Sequence, residues 1–387
     1  MPARLASGLR SPLLFSGLLL SAAPAAAVDW SGYFRAGTDF VPGNAGRTCY
    51  ALHGGSAGMK YRLGNECEIY GEFQFSQDFH AQGLDYRAGL MLSYLDTARH
   101  ASPGVAQIWA EARGFGPAPE ATVWIGKMRA RRGDVHIVDT FFVDMSGVGA
   151  GVRGLAAGPG KLGVAFYRTD HDAERPGRRA NVEWYDIDAG AAGTLSFFGT
   201  LTRGDFPGGS TGTGLTLRHD RKDLFGSGID NTLWLQYAQG SAALNANFGD
   251  LAAPASARSW RLVESVQWQR GAFGGQALAL IARERDGAGH VTDSTSAGGR
   301  VAWAFTRHFK LLAELGVSQF RPAGGETARL TKLTIAPALS IGPELMSRPE
   351  FRVYVTRAEW NRAAGDLGAR PGRTSGMRYG AQVEWWF

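Results

Sequence analysis

The sequence predicts an all-β protein: a transmembrane antiparallel β-barrel of about 18 strands. Three observations carry this. The last residues alternate strictly between apolar and polar. The first residues carry an export signal. Nothing between them could cross a membrane as a helix.

The chain closes on Met377-Arg-Tyr-Gly-Ala-Gln-Val-Glu-Trp-Trp-Phe387. Taken by twos, Tyr379, Ala381, Val383, Trp385 and Phe387 make an apolar, aromatic face. Arg378, Gly380, Gln382, Glu384 and Trp386 make a polar face with one Trp on it. A period of two with these faces describes a strand between lipid and water. In a soluble sheet, such a terminal strand would be an aggregation hazard. The closing Phe resembles the sorting signal of bacterial outer-membrane barrels.

At the other end, Arg4 and Arg10 form a basic n-region, and Leu13–Leu20 is apolar except for Ser16 and Gly17. Ala25-Ala26-Ala27 puts small residues at −3 and −1. This pattern predicts a signal peptide over 1–27, with one barrel domain over 28–387. A membrane anchor needs roughly 18 or more apolar residues, which this segment lacks. Cleavage after Ala27 leaves 387 − 27 = 360 residues and, with Arg4 and Arg10 gone, lowers the net charge from +6 to +4.

Glycine is abundant (54 residues), 20% of residues are charged, and mean hydropathy is −0.17. No later segment approaches a transmembrane helix, whereas alternating strands escape hydropathy averages. No linker or composition shift divides the chain, and a closed barrel uses such a length without a thick core.

The alternation recurs along the chain. Trp30, Gly32, Phe34 and Ala36 oppose Asp29, Ser31, Tyr33 and Arg35. Ile69, Gly71, Phe73 and Phe75 oppose Glu68, Tyr70, Glu72, Gln74 and Ser76 within a strand expected at Cys67–Gln77. Leu233, Leu235 and Tyr237 oppose Trp234, Gln236 and Ala238. Further strands are expected at Leu162–Arg168, Leu195–Leu201, Val301–Phe305, Phe309–Val317 and Phe351–Thr356, with turn-rich clusters such as Gly204–Gly214 and Gly365–Gly376 between strands. At roughly 20 residues per strand and connection, the mature length makes about 18 strands. They must close, because an open edge in hydrocarbon leaves a row of amides unpaired. The apolar faces lack Lys and Arg through their middles, where either would cost about 2–4 kcal/mol.

Several stretches are similar to the maltoporin family of carbohydrate-specific porins. They are Val28-Asp-Trp-Ser-Gly-Tyr-Phe-Arg-Ala-Gly37, Lys60-Tyr-Arg-Leu-Gly-Asn-Glu-Cys-Glu-Ile-Tyr70 preceded by Cys49, and Gly126-Lys127 with Gly133-Asp-Val-His-Ile-Val-Asp139 and Asp144-Met-Ser-Gly-Val-Gly-Ala-Gly151. Ser347-Arg348-Pro349 with Arg352, Thr356 and Trp360, and Gly380-Ala-Gln-Val-Glu-Trp-Trp386, extend it. Residues 155–340 match in style only. The resemblance implies a trimeric 18-stranded barrel in a Gram-negative outer membrane. It also implies an inward-folded third loop that constricts the pore, and sugars sliding along an aromatic strip between charged tracks. Carried over by position, Tyr33, Tyr70 and Trp386 fall on the strip, and Arg35, Arg62, Glu72, Arg132 and Asp139 on the tracks. Phe141 stands where the family has a constriction tyrosine. The alternation alone already puts Tyr33, Arg35, Tyr70, Glu72 and Trp386 on the polar face.

There are departures. Met346 stands where the family carries a strip tryptophan, Ser93–Pro103 offers no tryptophan for a neighbouring subunit, and Ala106 replaces a track arginine. Weaker affinity for long maltodextrins is expected.

The chemistry fits a pyranose ring: aromatic rings bury its C–H faces, and Arg and carboxylate groups bond its hydroxyl rim. Conduction needs contacts that are weak and successive. The same aromatics could serve only as girdle or filler, and the arginines as a general electrostatic lining. Cys49 and Cys67 are the only cysteines. In an oxidising compartment they should form a disulfide stapling the first external loop; no His spacing favours metal.

Other motifs lead elsewhere. Gly149-Ala-Gly151-Val-Arg-Gly154 matches a dinucleotide fingerprint without a βαβ setting. Asp134 and His136 lack a serine elbow or completed triad. The arginines are scattered rather than clustered, so nucleic acid is not an expected partner. The expected partners are sugars and small ions, outer-membrane lipid and lipopolysaccharide, the barrel-assembly machinery, and further copies in a homotrimer, with no cofactor. The competing readings are a general or anion-favouring porin, and a barrel enzyme such as a lipase.

Overall fold

The computed structural model describes residues 28–42, 49–52, 59–97, 100–170, 173–365, 367 and 372–387. The expected signal peptide, 1–27, lies outside them. In chain order the strands are β1 (Asp29–Phe40), β2 (Ile69–Ala81), β3 (Leu84–Asp96), β4 (Ala101–Arg113), β5 (Thr122–Val135), β6 (Thr140–Ala157), β7 (Gly160–Arg168), β8 (Gly177–Asp188) and β9 (Thr194–Gly204). They continue as β10 (Thr211–Arg221), β11 (Ile229–Gly240), β12 (Arg258–Arg270), β13 (Phe273–Arg285), β14 (Val291–Ala304), β15 (Phe309–Arg321), β16 (Ala328–Ser340), β17 (Glu350–Trp360) and β18 (Ser375–Trp386). Each pairs antiparallel with the next in an 18-stranded sheet, and β18 pairs with β1 to close it. Closure runs from Tyr33↔Trp386 to Phe40↔Tyr379, and Phe387 adds reciprocal backbone bonds to Gly32 (2.9 and 3.1 Å).

The expected strands are present, with two boundaries moved: β14 ends at Ala304, one short of Phe305, and β2 starts late. β2 starts at Ile69, not Cys67; just before it, Glu66 and Glu68 both pair with Arg35 and Lys60.

Connections at one end are tight, as at Gln82-Gly83, Gly158-Pro159 and Gly271-Ala272. Gln82, Gly83, Gly158 and Gly271 all have positive φ there, as the tightest hairpin turns require. The other end carries the long segments 41–68, 241–257 and 361–374. Outer-membrane barrels keep their short turns in the periplasm, which places both strand-terminal ends, Asp29 and Trp386, on that side.

Outward-facing aromatics form two girdles. Trp30, Phe79, Trp303, Phe309 and Phe351 are exposed near the short-turn end; Phe40, Tyr94, Tyr237, Trp260 and Tyr379 are exposed near the other. Lys127 on β5, paired with Asp170 (3.1 Å), and Glu264 on β12 interrupt the outward apolar face. Glu264 lies on β12 midway between Trp260 and Trp268, with its carboxylate bonded by the Asn231 side chain.

Two segments fill much of the lumen. β5 pairs with β4 only over Thr122–Lys127, and β6 pairs with β7 only from Val148 onward. The distal halves of β5 and β6 therefore leave the wall together as an inward hairpin arm, 128–147. The Ile137 N–H donates to Gln276 (3.1 Å), Gln236 donates to the Phe142 carbonyl (2.5 Å), and the Asp144 N–H donates to the Asn245 carbonyl (2.7 Å). Ile137, Phe142 and Val143 pack with Trp234, Val263 and Leu278. The arm is the expected constriction loop. The Gly149–Gly154 motif falls on β6. A Cβ at Gly149 would stand 2.0 Å from the Phe166 carbonyl, so this glycine serves close strand approach.

The second segment is the first loop. A disulfide joins Cys49 and Cys67, with Cα atoms 5.6 Å apart. Beyond it, the Tyr61 ring lies on Gly298 and Gly316, whose added Cβ atoms would come within 2.4 and 2.2 Å of it. The Leu63 N–H donates to Glu314 (2.9 Å), and Lys332 and Thr334 both donate to the Leu63 carbonyl (3.0 Å each). Glu314 is itself paired with Arg300 (2.7 Å) and Lys332 (3.0 Å).

Candidate functional site

The arm, the first loop and the β18–β1 seam meet in a lumenal eyelet. Cross-strand register sets Tyr33 beside Trp386 and Arg35 beside Glu384. Arg35 pairs with Asp139 (3.2 Å), Glu66 (3.3 Å) and Glu68 (2.5 Å). Arg62 pairs with Glu66 (2.5 Å) and Glu384 (2.9 Å) and donates to the Tyr33 hydroxyl (2.6 Å). Tyr33 in turn donates to Glu384 (3.0 Å). Arg348 and Arg352 reach the other Glu384 oxygen, at 2.8 and 3.2 Å.

Sequence reasoning placed Tyr33, Arg35, Arg62, Asp139 and Trp386 at the site, and the structure brings these five together. Tyr70 adjoins them, its ring 6.3 Å from that of Tyr33, and it donates to Glu72, which pairs with Arg129. Among the described residues, Arg132 and Phe141 make no ion pair or ring contact with this group. They form their own unit on the arm, where Arg132 lies over the Phe141 ring (4.2 Å) and pairs with Asp144 (3.3 Å).

Sequence reasoning missed Glu66, Glu68, Arg129, His136, Arg348 and Glu384. Glu384 was within reach, since it shares the polar parity of Trp386. Glu68 already stood on the polar face with Tyr70 and Glu72; Glu66 lay in a run already singled out, but an irregular loop carries no period to show that it points inward.

Two groups off the strands show the electrostatics. Burial alone would raise the Glu66 carboxyl; Arg62, Lys60 and Arg35 overcome it and hold it well below the usual carboxylate range. His136, at the arm tip, sits between Arg62 and Arg348 (3.4 Å each) and edge-on to Trp386 (5.7 Å). Burial pushes its imidazole well below the usual value; Glu384 opposes this, while Arg62, Arg300 and Arg348 reinforce it.

The aromatic surfaces are not bare. A guanidinium stands over three of the four rings: Arg348 over Trp386 (4.4 Å), Arg35 over Tyr70 (5.3 Å) and Arg132 over Phe141 (4.2 Å). Such contacts contribute about 0.5–2 kcal/mol. The departures have structural reasons too. Met346 packs against the cluster of Leu63, Leu345 and Tyr354. Ala106 falls between the pairs Met91↔Gln107 and Leu92↔Val105, as the extra residue of a β-bulge.

A closed, girdled barrel with an ion-paired eyelet in its lumen is an outer-membrane porin, a channel of the Gram-negative outer membrane. The LamB porin family model matches residues 28–387, and the chain belongs to that family. A maltoporin of Hahella chejuensis (strain KCTC 2396) is 28% identical over 388 residues, covering 94% of this chain and 93% of that protein. Two solved structures share the barrel fold. Acinetobacter baumannii OccAB2 has a TM-score of 0.53 at 8% identity, covering 93% of this chain and 98% of that one. The outer membrane protein opdK of Pseudomonas aeruginosa has a TM-score of 0.51 at 10% identity, covering 93% and 99%.

Proposed function

We propose that this porin conducts sugars by facilitated diffusion, with Tyr33, Tyr70 and Trp386 as stacking surfaces. Arg35, Arg62, Glu72, Arg132 and Asp139 bond the hydroxyl rim, and Phe141 narrows the path. The observation that carries the reading is the pair Tyr33↔Trp386, side by side on the lumenal face with Arg35 and Glu384 on the next rung. An aromatic pair with both guanidinium and carboxylate beside it matches the two chemistries of a pyranose ring. Titrating sugar against single-channel current tests it: block at millimolar concentration is expected, and a channel that no sugar blocks would defeat the reading.

A second reading, a general or anion-favouring pore, is favoured by the guanidinium groups over Trp386, Tyr70 and Phe141, which already occupy faces that a sugar would use. A reversal potential shifted strongly toward the anion potential in a salt gradient, with no sugar block, would select it. The chain acts as a conduit rather than a catalyst, since the His136 nitrogens face Arg62 and Arg348 instead of a nucleophile. Three copies form the working unit; a monomer on sizing in mild detergent would reject that. Export uses the 1–27 leader, with lipopolysaccharide and the assembly machinery as partners in the membrane, and a mature N-terminus at Val28 is expected.

A further inference from the structure

Beyond the eyelet, the lumenal face of β2–β4 forms rungs that descend to the short-turn mouth. Register aligns Gln74, Met91 and Gln107, then Ser76, Gly89 and Trp109, then Asp78, Arg87 and Glu111. The last rung is His80, Asp85 and Arg113. Each rung lies about 7 Å below the one before it, two residues along a strand.

Trp109 is the aromatic among these rungs. Its neighbours on the same rung are glycines, Gly89 on β3 and Gly126 on β5. Three indole atoms stand 2.6–2.8 Å from where a Gly89 Cβ would be, so the ring lies across the glycine. Trp109 is partly exposed. The rungs below it line a cavity of about 490 Å3, within the roughly 300–1,000 Å3 typical of small-ligand sites.

That cavity alternates donors and acceptors. Arg87 donates to Ser76 (2.9 Å) and Asp29 (3.2 Å), and Asp85 accepts from Arg113 (3.0 Å). Arg153 pairs with Glu111. These groups are held in place yet reachable from the lumen. An indole face one rung above paired guanidinium and carboxylate groups is again the two-part chemistry of a pyranose.

We propose that Trp109, with Arg87, Asp85 and Glu111, forms an exit subsite for a pyranose ring at the periplasmic mouth, separate from the Tyr33–Trp386 eyelet. It rests on the sugar-channel reading. A sugar leaving the eyelet would find a second weak foothold on the β2–β5 side, and several weak steps favour throughput over trapping.

The test is current block by maltotriose, present on both sides of a planar bilayer, for the wild type and for Trp109→Ala, Trp109→Phe and Tyr33→Ala. Loss of a stacking surface should raise the Kd of Trp109→Ala roughly three- to ten-fold. Trp109→Phe should recover most of the affinity. If Tyr33→Ala weakens block and Trp109→Ala does not, the exit subsite is overturned while the sugar reading stands. A Trp109→Ala channel whose unblocked conductance is altered and not restored by Phe would show that Trp109 only supports the wall, overturning the subsite. If maltotriose fails to block the wild type, the sugar reading falls and the subsite falls with it.

Discussion

Trp385 and Trp386 are neighbours in sequence and face opposite solvents. Trp385 packs on Phe34 (5.6 Å) at the outer wall, whereas Trp386 meets His136 and Arg348 inside. Trp386→Ala should weaken sugar block several-fold, and Trp385→Ala should instead lower the yield of folded barrel. Measuring the block Kd in purified folded channels decides between them; a larger affinity loss in Trp385→Ala would reverse the facing. His136 carries a pH dependence. Unfolded, it titrates near 6.5; folded, burial holds it well below that. Its contribution to stability is therefore complete above about pH 6.5 and is lost as pH falls from there toward the folded value. Conductance noise from the arm tip should rise between about pH 6.5 and 5, and His136→Gln should flatten the change; identical profiles for both channels would argue against it. At this scale the sequence was legible where a period exists. Alternation by twos put Tyr33, Arg35, Tyr70, Glu72 and Trp386 on the lumenal face. It could not show that Arg348 would cover Trp386, because that residue arrives from a turn remote in sequence and only folding brings it there.

The inward elements are held by few, well-buried groups. Glu314 accepts the Leu63 N–H and also neutralises Arg300 and Lys332, all inside the wall. Removing one partner of a buried ion pair typically costs about 3–5 kcal/mol, because the remaining charges stay buried. Glu314→Ala should thus release the first loop, raising both conductance and protease sensitivity near Tyr61. Unchanged conductance would mean that the glycine seat under Tyr61 suffices. The arm was foreseen from resemblance alone. Its strands look like wall strands in the sequence, since they keep extended backbone after leaving the sheet. The bulges at Arg129/Arg132 and Gly133/Asp134, where the arm's own pairing shifts, have no clear mark in the residues.

At the scale of the whole barrel, closure and an apolar exterior were plain from the sequence because the bilayer imposes them on every strand. Glu264 is an exception, an outward carboxylate between the girdles. Lipid-facing Lys or Arg at that depth costs about 2–4 kcal/mol and a carboxylate less, so Glu264→Leu should raise resistance to urea in vesicles by roughly 1–2 kcal/mol. If the substitution instead dissociates the oligomer, Glu264 lies at a subunit contact. The seat of the first loop has a consequence in time. Cys49–Cys67 lies near the start of the chain, yet Leu63 and Gly64 are gripped by β15–β17, among the last strands to be synthesised. A ribosome delivers the bolt long before the doorframe. That loop can take its seat only when the final hairpins are in place, so its burial serves as a clock of assembly.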